Sequence, residues 1–170
     1  VGPDGTGGEV WVTRFETRDA VSLHDPDRRI GIDRERCHDG VVHDGRIWFT
    51  TVDGHVVEVD AQSLAVAGEH SLARPGADTL LGWCRGLTFV DEHHVAIGFS
   101  RIRHTRFRNT LSWVRNGLTR SEPTRVALYD HRTWDLVDEC DLEPAGCNAV
   151  FSILPPTGRG TGVIDDGAAS

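Results

Sequence analysis

The chain has 170 residues with no Lys and no Met, 18 arginines against 26 acidic residues, and a formal net charge of −8. This balance disfavours nonspecific nucleic-acid binding, because the phosphate backbone attracts positively charged surfaces. No apolar run reaches the roughly 18 residues of a membrane-spanning helix, and residues 1–8 lack the pattern of a secretory signal. We therefore expect a soluble protein with no membrane partner and no targeting segment in this chain, and its compartment stays open.

The first predicted strand belongs to a pattern that recurs along the chain. GEVWVTRF (8–15) and GRIWFTTV (45–52) share Gly, a β-branched residue, Trp, an apolar residue and Thr, and HVAIGFS (94–100) follows more loosely. Each segment comes directly after turn residues, and β-branched and aromatic residues favour strands. A repeated strand is therefore predicted at these three places.

Further strands are predicted around each of these. The innermost strand of a blade comes before the Trp-type strand and is predicted at residues 38–45, 84–92 and 147–154. The two outer strands form a pair, and residues 55–72 align with 125–142 without a gap. Gly40 and Gly86 are 46 residues apart, close to the roughly 40 to 50 residues of a four-stranded propeller blade. The next interval, from Gly86 to Ala149, is 63 residues, and its excess falls in an Arg-rich insertion.

The predicted fold class is all-β, an incomplete β-propeller of about three blades with four antiparallel strands each. Residues 1–155 form the partial propeller, the insertion 101–125 separates the second and third strands of one blade, and 156–170 form a flexible tail. A β-sandwich or an incidental meander is the alternative fold. Since a ring takes four to eight blades, we expect either further blades or self-association, with 147–154 completing the first blade of a second copy.

One end of the blades carries the candidate site. In four antiparallel strands, the start of the first, the end of the second and the start of the third lie at the same end. Arg36, His38, Arg85 and Asn148 lie at starts of innermost strands, on the face of the insertion. This placement predicts a binding module that holds a small anionic or sugar-derived ligand at the channel face.

The insertion adds candidate anion ligands to this face. Guanidinium groups bind carboxylate, phosphate and sulfate through paired hydrogen bonds, which selects Arg103, Arg106 and Arg108 as ligand-binding candidates. The alternative is that these arginines pair with the acidic remainder of the same or a neighbouring protomer.

Residues 36–51, RCHDGVVHDGRIWFTT, resemble the R-x-N-D-G segment followed by G-R-x-W of the SMP-30/gluconolactonase family of six-bladed propellers. The resemblance implies a metal-dependent hydrolase or lyase acting on lactones or esters, with Arg36 and His38 in substrate-contacting places and Asp39 beside them. On this alternative His38 and Asp39 are catalytic, and Asp39 and Asn148 hold part of a divalent site for calcium or zinc. Arg85 stands where the family has a metal ligand, although a guanidinium offers no acceptor.

The cysteines offer another metal hypothesis. Cys84, Cys147 and His38 fall in one column of the repeat as aligned on the glycines, and two thiolates with an imidazole suit zinc or copper. The alternative is that each Cys is a small buried apolar residue. The residues leave open whether the protein is an enzyme, a binding module, or a structural half-propeller that assembles into a closed ring.

Overall fold

The computed structural model describes residues 8–34, 36–74, 76, 79–102 and 120–154. Three antiparallel sheets account for most of these residues. Sheet 1 contains β1 (Trp11–Arg14), β2 (Asp19–Ser22) and β3 (Arg29–Gly31); sheet 2 contains β4 (Cys37–His43), β5 (Arg46–Thr51), β6 (His55–Asp60) and β7 (Val66–Ser71); sheet 3 contains β9 (Trp83–Phe89), β10 (His94–Ser100), β12 (Arg125–Asp130) and β13 (Leu136–Asp141).

Three short elements complete the described structure. β8 (Thr79–Leu80) and β11 (Arg120–Ser121) form a two-stranded parallel sheet, and a single 3-10 turn covers Glu143–Ala145. No α-helix occurs in the described ranges, and none of their helical residues forms a segment long and apolar enough to cross a membrane.

Each sheet is a meander in which consecutive strands lie side by side, in the orders β1-β2-β3, β4-β5-β6-β7 and β9-β10-β12-β13. This arrangement confirms the predicted all-β, incomplete propeller-like fold. The insertion lies between β10 and β12, which pair directly in sheet 3. The described residues form no closed ring.

The sheets stack face to face. Neighbouring residues of a strand point to opposite faces of its sheet, so β5 contributes side chains to two buried clusters. Ile47 and Phe49 of β5 pack in one buried cluster with Ile30 of sheet 1. Trp48, between them in the chain, belongs to a second cluster with Ile97 and Phe99 of sheet 3. Sheet 2 is therefore buried on both faces, as a central blade of a stack requires.

The outer hairpins confirm the repeat between residues 55–72 and 125–142. Asp60 Oδ1 accepts hydrogen bonds from the backbone N–H of Ser63 at 2.8 Å, and Asp130 Oδ1 accepts one from Arg132 at 2.8 Å. In both turns the residue four positions after the Asp, Leu64 or Trp134, has positive φ, at 58° and 61°. An aspartate that caps its own turn produces the same hairpin twice.

One predicted strand is absent. Residues 147–154 carry no strand, which corrects the expectation of an innermost strand there. Ser100 instead fixes this segment, because its Oγ donates to the Val150 carbonyl at 3.0 Å and accepts from the Val150 N–H at 2.8 Å. The segment has no ladder partner among the described strands, and without one it does not form a strand.

Candidate functional site

The innermost strands of sheets 2 and 3 each contain a β-bulge at the same place. In β4, pairing with β5 skips Asp39, and in β9, pairing with β10 skips Gly86. Both skipped residues have positive φ, 39° for Asp39 and 72° for Gly86. A bulge of this kind adds one residue to a strand and re-aims the side chains beside it.

The bulges correct the phase of the repeat. Asp39, and not Gly40, is the counterpart of Gly86, so His38 corresponds to Arg85 and Cys37 corresponds to Cys84. The predicted column of His38, Cys84 and Cys147 is therefore wrong. The error came from aligning two glycines, of which only Gly86 lies in the left-handed region.

The two cysteines of the metal hypothesis differ in burial. Cys84 is fully buried whereas Cys147 is exposed. Burial raises the pKa of the Cys37 thiol to about 11 and raises that of Cys84 as well, so both stay protonated at neutral pH. Within the described ranges no group of three or more His, Cys, Asp or Glu side chains is placed to hold a metal ion.

Asp39 connects two sheets. Its Oδ2 accepts a hydrogen bond from the Gly86 N–H at 2.7 Å, a donor that the bulge has taken out of the β9 ladder. The carboxylate therefore satisfies a backbone group of the next sheet, which buried N–H groups require. Its predicted roles as a catalytic residue and metal ligand stay predictions.

His38 lies beside this contact. Its ring centroid is 5.1 Å from that of Phe15, and the half-buried imidazole leaves Nε2 without a hydrogen-bond partner among the described residues. Burial lowers the pKa of His38, the charge of Arg85 lowers it further, and Asp39 opposes both effects. His38 is thus neutral at pH 7 and lies within the electrostatic reach of Arg85.

Arg85 and Arg36 stack on aromatic rings. The Cζ of Arg85 lies 5.5 Å from the Trp83 ring centroid and 5.7 Å from that of Phe151, and the Cζ of Arg36 lies 5.0 Å from Phe15. Neither arginine forms an ion pair with a described residue. The Nε of Arg85 is buried and has no hydrogen-bond partner among the described residues. Cation–π contact orients a guanidinium without neutralising its charge.

Arg85 lines a cleft of about 340 Å³, which we call the Arg85 cleft. The structure brings two predicted ligand-binding residues, Arg85 and Asn148, together in its wall. The lining residues are Trp83, Arg85, Ser100, Arg101, Asn148, Ala149 and Phe151. His38, Arg36 and Asp39 lie outside this lining, and His38 is linked to it through its interaction with Arg85.

The insertion begins at this cleft. Arg101 lines it but is engaged by Glu143, whose carboxylate accepts from its Nε and Nη2 at 2.6 and 2.8 Å. Arg101 therefore pairs with an acid of the same chain, which is the alternative given above for the arginines of the insertion. The other insertion candidates, Arg103, Arg106 and Arg108, lie outside the described residues and stay predictions.

Sequence reasoning missed two residues of the site, Trp83 and Phe151. Both contribute the rings that flank Arg85. The sequence signal for Trp83 was an aromatic residue two positions before Arg85. No sequence signal indicated that Phe151 packs against sheet 3.

Comparisons with known proteins identify no family: no family model matches the chain, and no curated protein matches it. Among solved structures, apo AztD from Citrobacter koseri is similar at 13% identity and a TM-score of 0.45, over 79% of this chain and 30% of that one. Dihydro-heme d1 dehydrogenase NirN in complex with DHE is similar at 14% identity and a TM-score of 0.43, over 71% and 22%. The chain thus spans less than a third of the length of these proteins.

Proposed function

We propose that the protein is a binding module whose Arg85 cleft holds a small anionic or sugar-derived ligand through its carboxylate. The observation that carries this proposal is the Arg85 guanidinium, held between Trp83 and Phe151 with no ion pair to a described residue. An arginine in this setting keeps its charge and in-plane donors available for an oxyanion.

The surroundings support an anion over a cation. The chain as a whole is negative, at −8, so Arg85, which forms no ion pair with a described residue, is a local positive charge on a negatively charged protein. His38 beside Arg85 is neutral and adds a polar group without a competing negative charge. Asp39 directs one carboxylate oxygen to the Gly86 N–H, and its charge is the one contribution at His38 that opposes Arg85.

The rings and small polar groups of the cleft support a sugar acid within the anionic class. Trp83 and Phe151 offer apolar faces, with Phe151 71% exposed, and aromatic faces pack against the C–H surface of sugars. Asn148 places an amide group in the same wall. Such a combination of apolar walls and few polar groups is typical of small-ligand sites.

Calorimetric titration with gluconate and with sorbitol tests this function, because both are open-chain polyols and they differ only in the carboxylate at C1. We expect gluconate to bind, sorbitol to bind far more weakly, and Arg85→Gln to weaken gluconate binding about tenfold or more, since it removes charge-assisted hydrogen bonds. Arg132→Gln is the matched control: it removes an equal charge from an exposed turn outside the Arg85 cleft and should leave affinity unchanged.

Equal affinity for gluconate in wild type and Arg85→Gln would reject the cleft as the site. The same preparations separate the hydrolase alternative. Turnover of a sugar lactone that appears with added calcium or zinc and is lost in Asp39→Asn would replace the binding-module proposal with an enzyme.

A further inference from the structure

The peptide group that joins Arg85 to Gly86 is fixed at both of its polar atoms. Its N–H is taken out of the β9 ladder by the bulge, and Asp39 Oδ2 of sheet 2 accepts a hydrogen bond from it at 2.7 Å. Its carbonyl oxygen faces β10, where it would lie 2.5 Å from a Cβ added to Gly98. Because a peptide group is planar, a contact at its nitrogen also orients the carbonyl of the preceding residue. Asp39 therefore acts on the backbone of Arg85.

Gly86 leaves the bulge no other path. Its φ is 72°, and a Cβ added to it would lie 2.9 Å from the backbone N of Ile153 and 3.0 Å from the carbonyl carbon of Ser152. Both neighbouring atoms belong to the backbone, so a side-chain rotation cannot make room. The bulge is thus packed against residues 152–153 at its Cα and hydrogen-bonded to Asp39 at its N–H.

Asp39 lies in a backbone conformation that most residues avoid. Its φ is 39°, in the left-handed region, where Asp and Asn are the side chains found most often after glycine. Its counterpart in β9 is Gly86, the residue type that suits such a bulge best. A glycine at position 39 would fit the backbone equally well, but it could not accept the hydrogen bond from Gly86.

The backbone of Arg85 determines where its guanidinium lies. The Cζ lies 5.5 Å from the Trp83 ring centroid and 5.7 Å from that of Phe151, whereas Nε is buried without a hydrogen-bond partner among the described residues. Contacts with two ring faces leave the guanidinium free to slide, because they are less directional than hydrogen bonds. The direction in which the backbone points the side chain is therefore needed to place it.

We propose that Asp39 is a positioning residue of the Arg85 cleft, whose carboxylate oxygen fixes the Arg85–Gly86 peptide and so holds the guanidinium between Trp83 and Phe151. The inference rests on the proposed function, since Arg85 is the group that binds the ligand carboxylate. Asp39 lies outside the lining of the cleft and acts through Arg85. The site uses its oxygen as an acceptor; its negative charge disfavours an anion nearby.

Two substitutions separate the acceptor from the charge. Asp39→Asn keeps an acceptor oxygen and a side chain tolerated at positive φ, and removes the charge. Asp39→Gly keeps the backbone conformation and removes both. Because Asp39 raises the pKa of His38, both variants should lower that pKa. A change at Arg85 that occurs only in Asp39→Gly is therefore due to the lost acceptor.

NMR of the ligand-free protein tests the positioning directly. The ring currents of Trp83 and Phe151 displace the Cδ proton resonances of Arg85, which are identified by their loss in Arg85→Gln. We expect these resonances to move in Asp39→Gly and to stay in place in Asp39→Asn. Asp44→Gly is the matched control, because Asp44 also has positive φ, at 49°, but lies in an exposed turn outside the cleft. Unchanged Arg85 resonances in Asp39→Gly would overturn the proposal, whether or not gluconate binds.

Calorimetric titration then links the positioning to the ligand. We expect Asp39→Gly to weaken gluconate binding about fivefold or more, because a displaced guanidinium loses part of its paired hydrogen bonds. Asp39→Asn should bind gluconate at least as tightly as the wild type, and Asp44→Gly should bind it equally well. Equal weakening in Asp39→Asn and Asp39→Gly would assign the effect to the charge and overturn the proposal. If the wild type binds no gluconate while the Arg85 resonances still move in Asp39→Gly, the proposed function fails and the positioning of Arg85 by Asp39 stands.

Discussion

Gly98→Ala is expected to lower the free energy of unfolding by about 3 kcal/mol, as overpacking of a tight interior does. A Cβ on Gly98 would lie 2.4 Å from Val150 Cγ1 and 2.5 Å from the Arg85 carbonyl oxygen. Since one of these atoms belongs to the backbone of β9, a side-chain rotation cannot relieve the contact. The displaced backbone carries Arg85, so gluconate affinity should fall together with stability.

Urea denaturation followed by tryptophan fluorescence measures this loss. Gly31→Ala is the matched control, because Gly31 also lies in a strand and a Cβ there meets nothing within 4 Å. We expect Gly31→Ala to change the free energy of unfolding by less than about 1 kcal/mol. Equal effects of the two substitutions would contradict the close approach of residues 149–151 to sheet 3.

Arg125→Ala is expected to cost about 3 kcal/mol of folding free energy, because it leaves a cavity beside Phe99 and the Leu81 carbonyl without its donor. Arg125 is 2% exposed, its Nη1 donates to the Leu81 carbonyl at 2.7 Å, and its Cζ lies 4.4 Å from the Phe99 ring centroid. Its Nε is 3.3 Å from the Glu139 carboxylate, at ion-pair distance but without hydrogen-bond geometry. Burial lowers the pKa of Arg125, which reflects the cost of desolvating it.

Arg125→Met separates packing from charge. Met keeps much of the apolar stem that packs on Phe99 but leaves the Leu81 carbonyl without its donor, so we expect a smaller loss of about 1 to 2 kcal/mol. Arg132→Ala, at an exposed turn, should change stability by less than about 0.5 kcal/mol. Thermal and urea unfolding of the three variants measure the order, and an Arg125→Ala protein as stable as Arg132→Ala would show that the buried guanidinium contributes little.

Local sequence signals predicted the sheets well. The Asp60 and Asp130 turns are determined by residues within the turns, because each aspartate accepts hydrogen bonds from backbone N–H groups two or three positions later. The Asp44-Gly45 turn, with both residues at positive φ, is another case in which the residue pair itself selects the hairpin. Such features need no information from distant parts of the chain.

The phase of the repeat could not be predicted from the same residues. A bulge is set by how a strand meets its neighbour, and at Asp39 it uses a residue that is uncommon in the left-handed region. Gly40, one position later, offered a false counterpart for Gly86. An error of one residue in aligning the repeats grouped Cys84 with His38, whereas the counterpart of Cys84 is Cys37.

The candidate site was predicted in part. Arg85 and Asn148 were selected from their place at strand starts, and the structure puts them in one cleft. The aromatic rings around Arg85 depend on the contact between β9 and residues 147–154, which no local pattern encodes. The capture of Arg101 by Glu143 is a contact of the same kind, 42 residues apart in the chain.

NMR titration of the His38 imidazole, with and without saturating gluconate, tests the central claim most directly. His38→Gln identifies its resonances. In the ligand-free protein we expect His38 to titrate below the ordinary histidine range, because burial and Arg85 both lower its pKa. A carboxylate bound at Arg85 stabilises the imidazolium, so gluconate should raise the pKa of His38 and sorbitol should not. By linkage, gluconate then binds more tightly as the pH falls through the His38 titration. If gluconate binds while the pKa of His38 stays unchanged, the ligand lies elsewhere and the assignment of the Arg85 cleft is wrong.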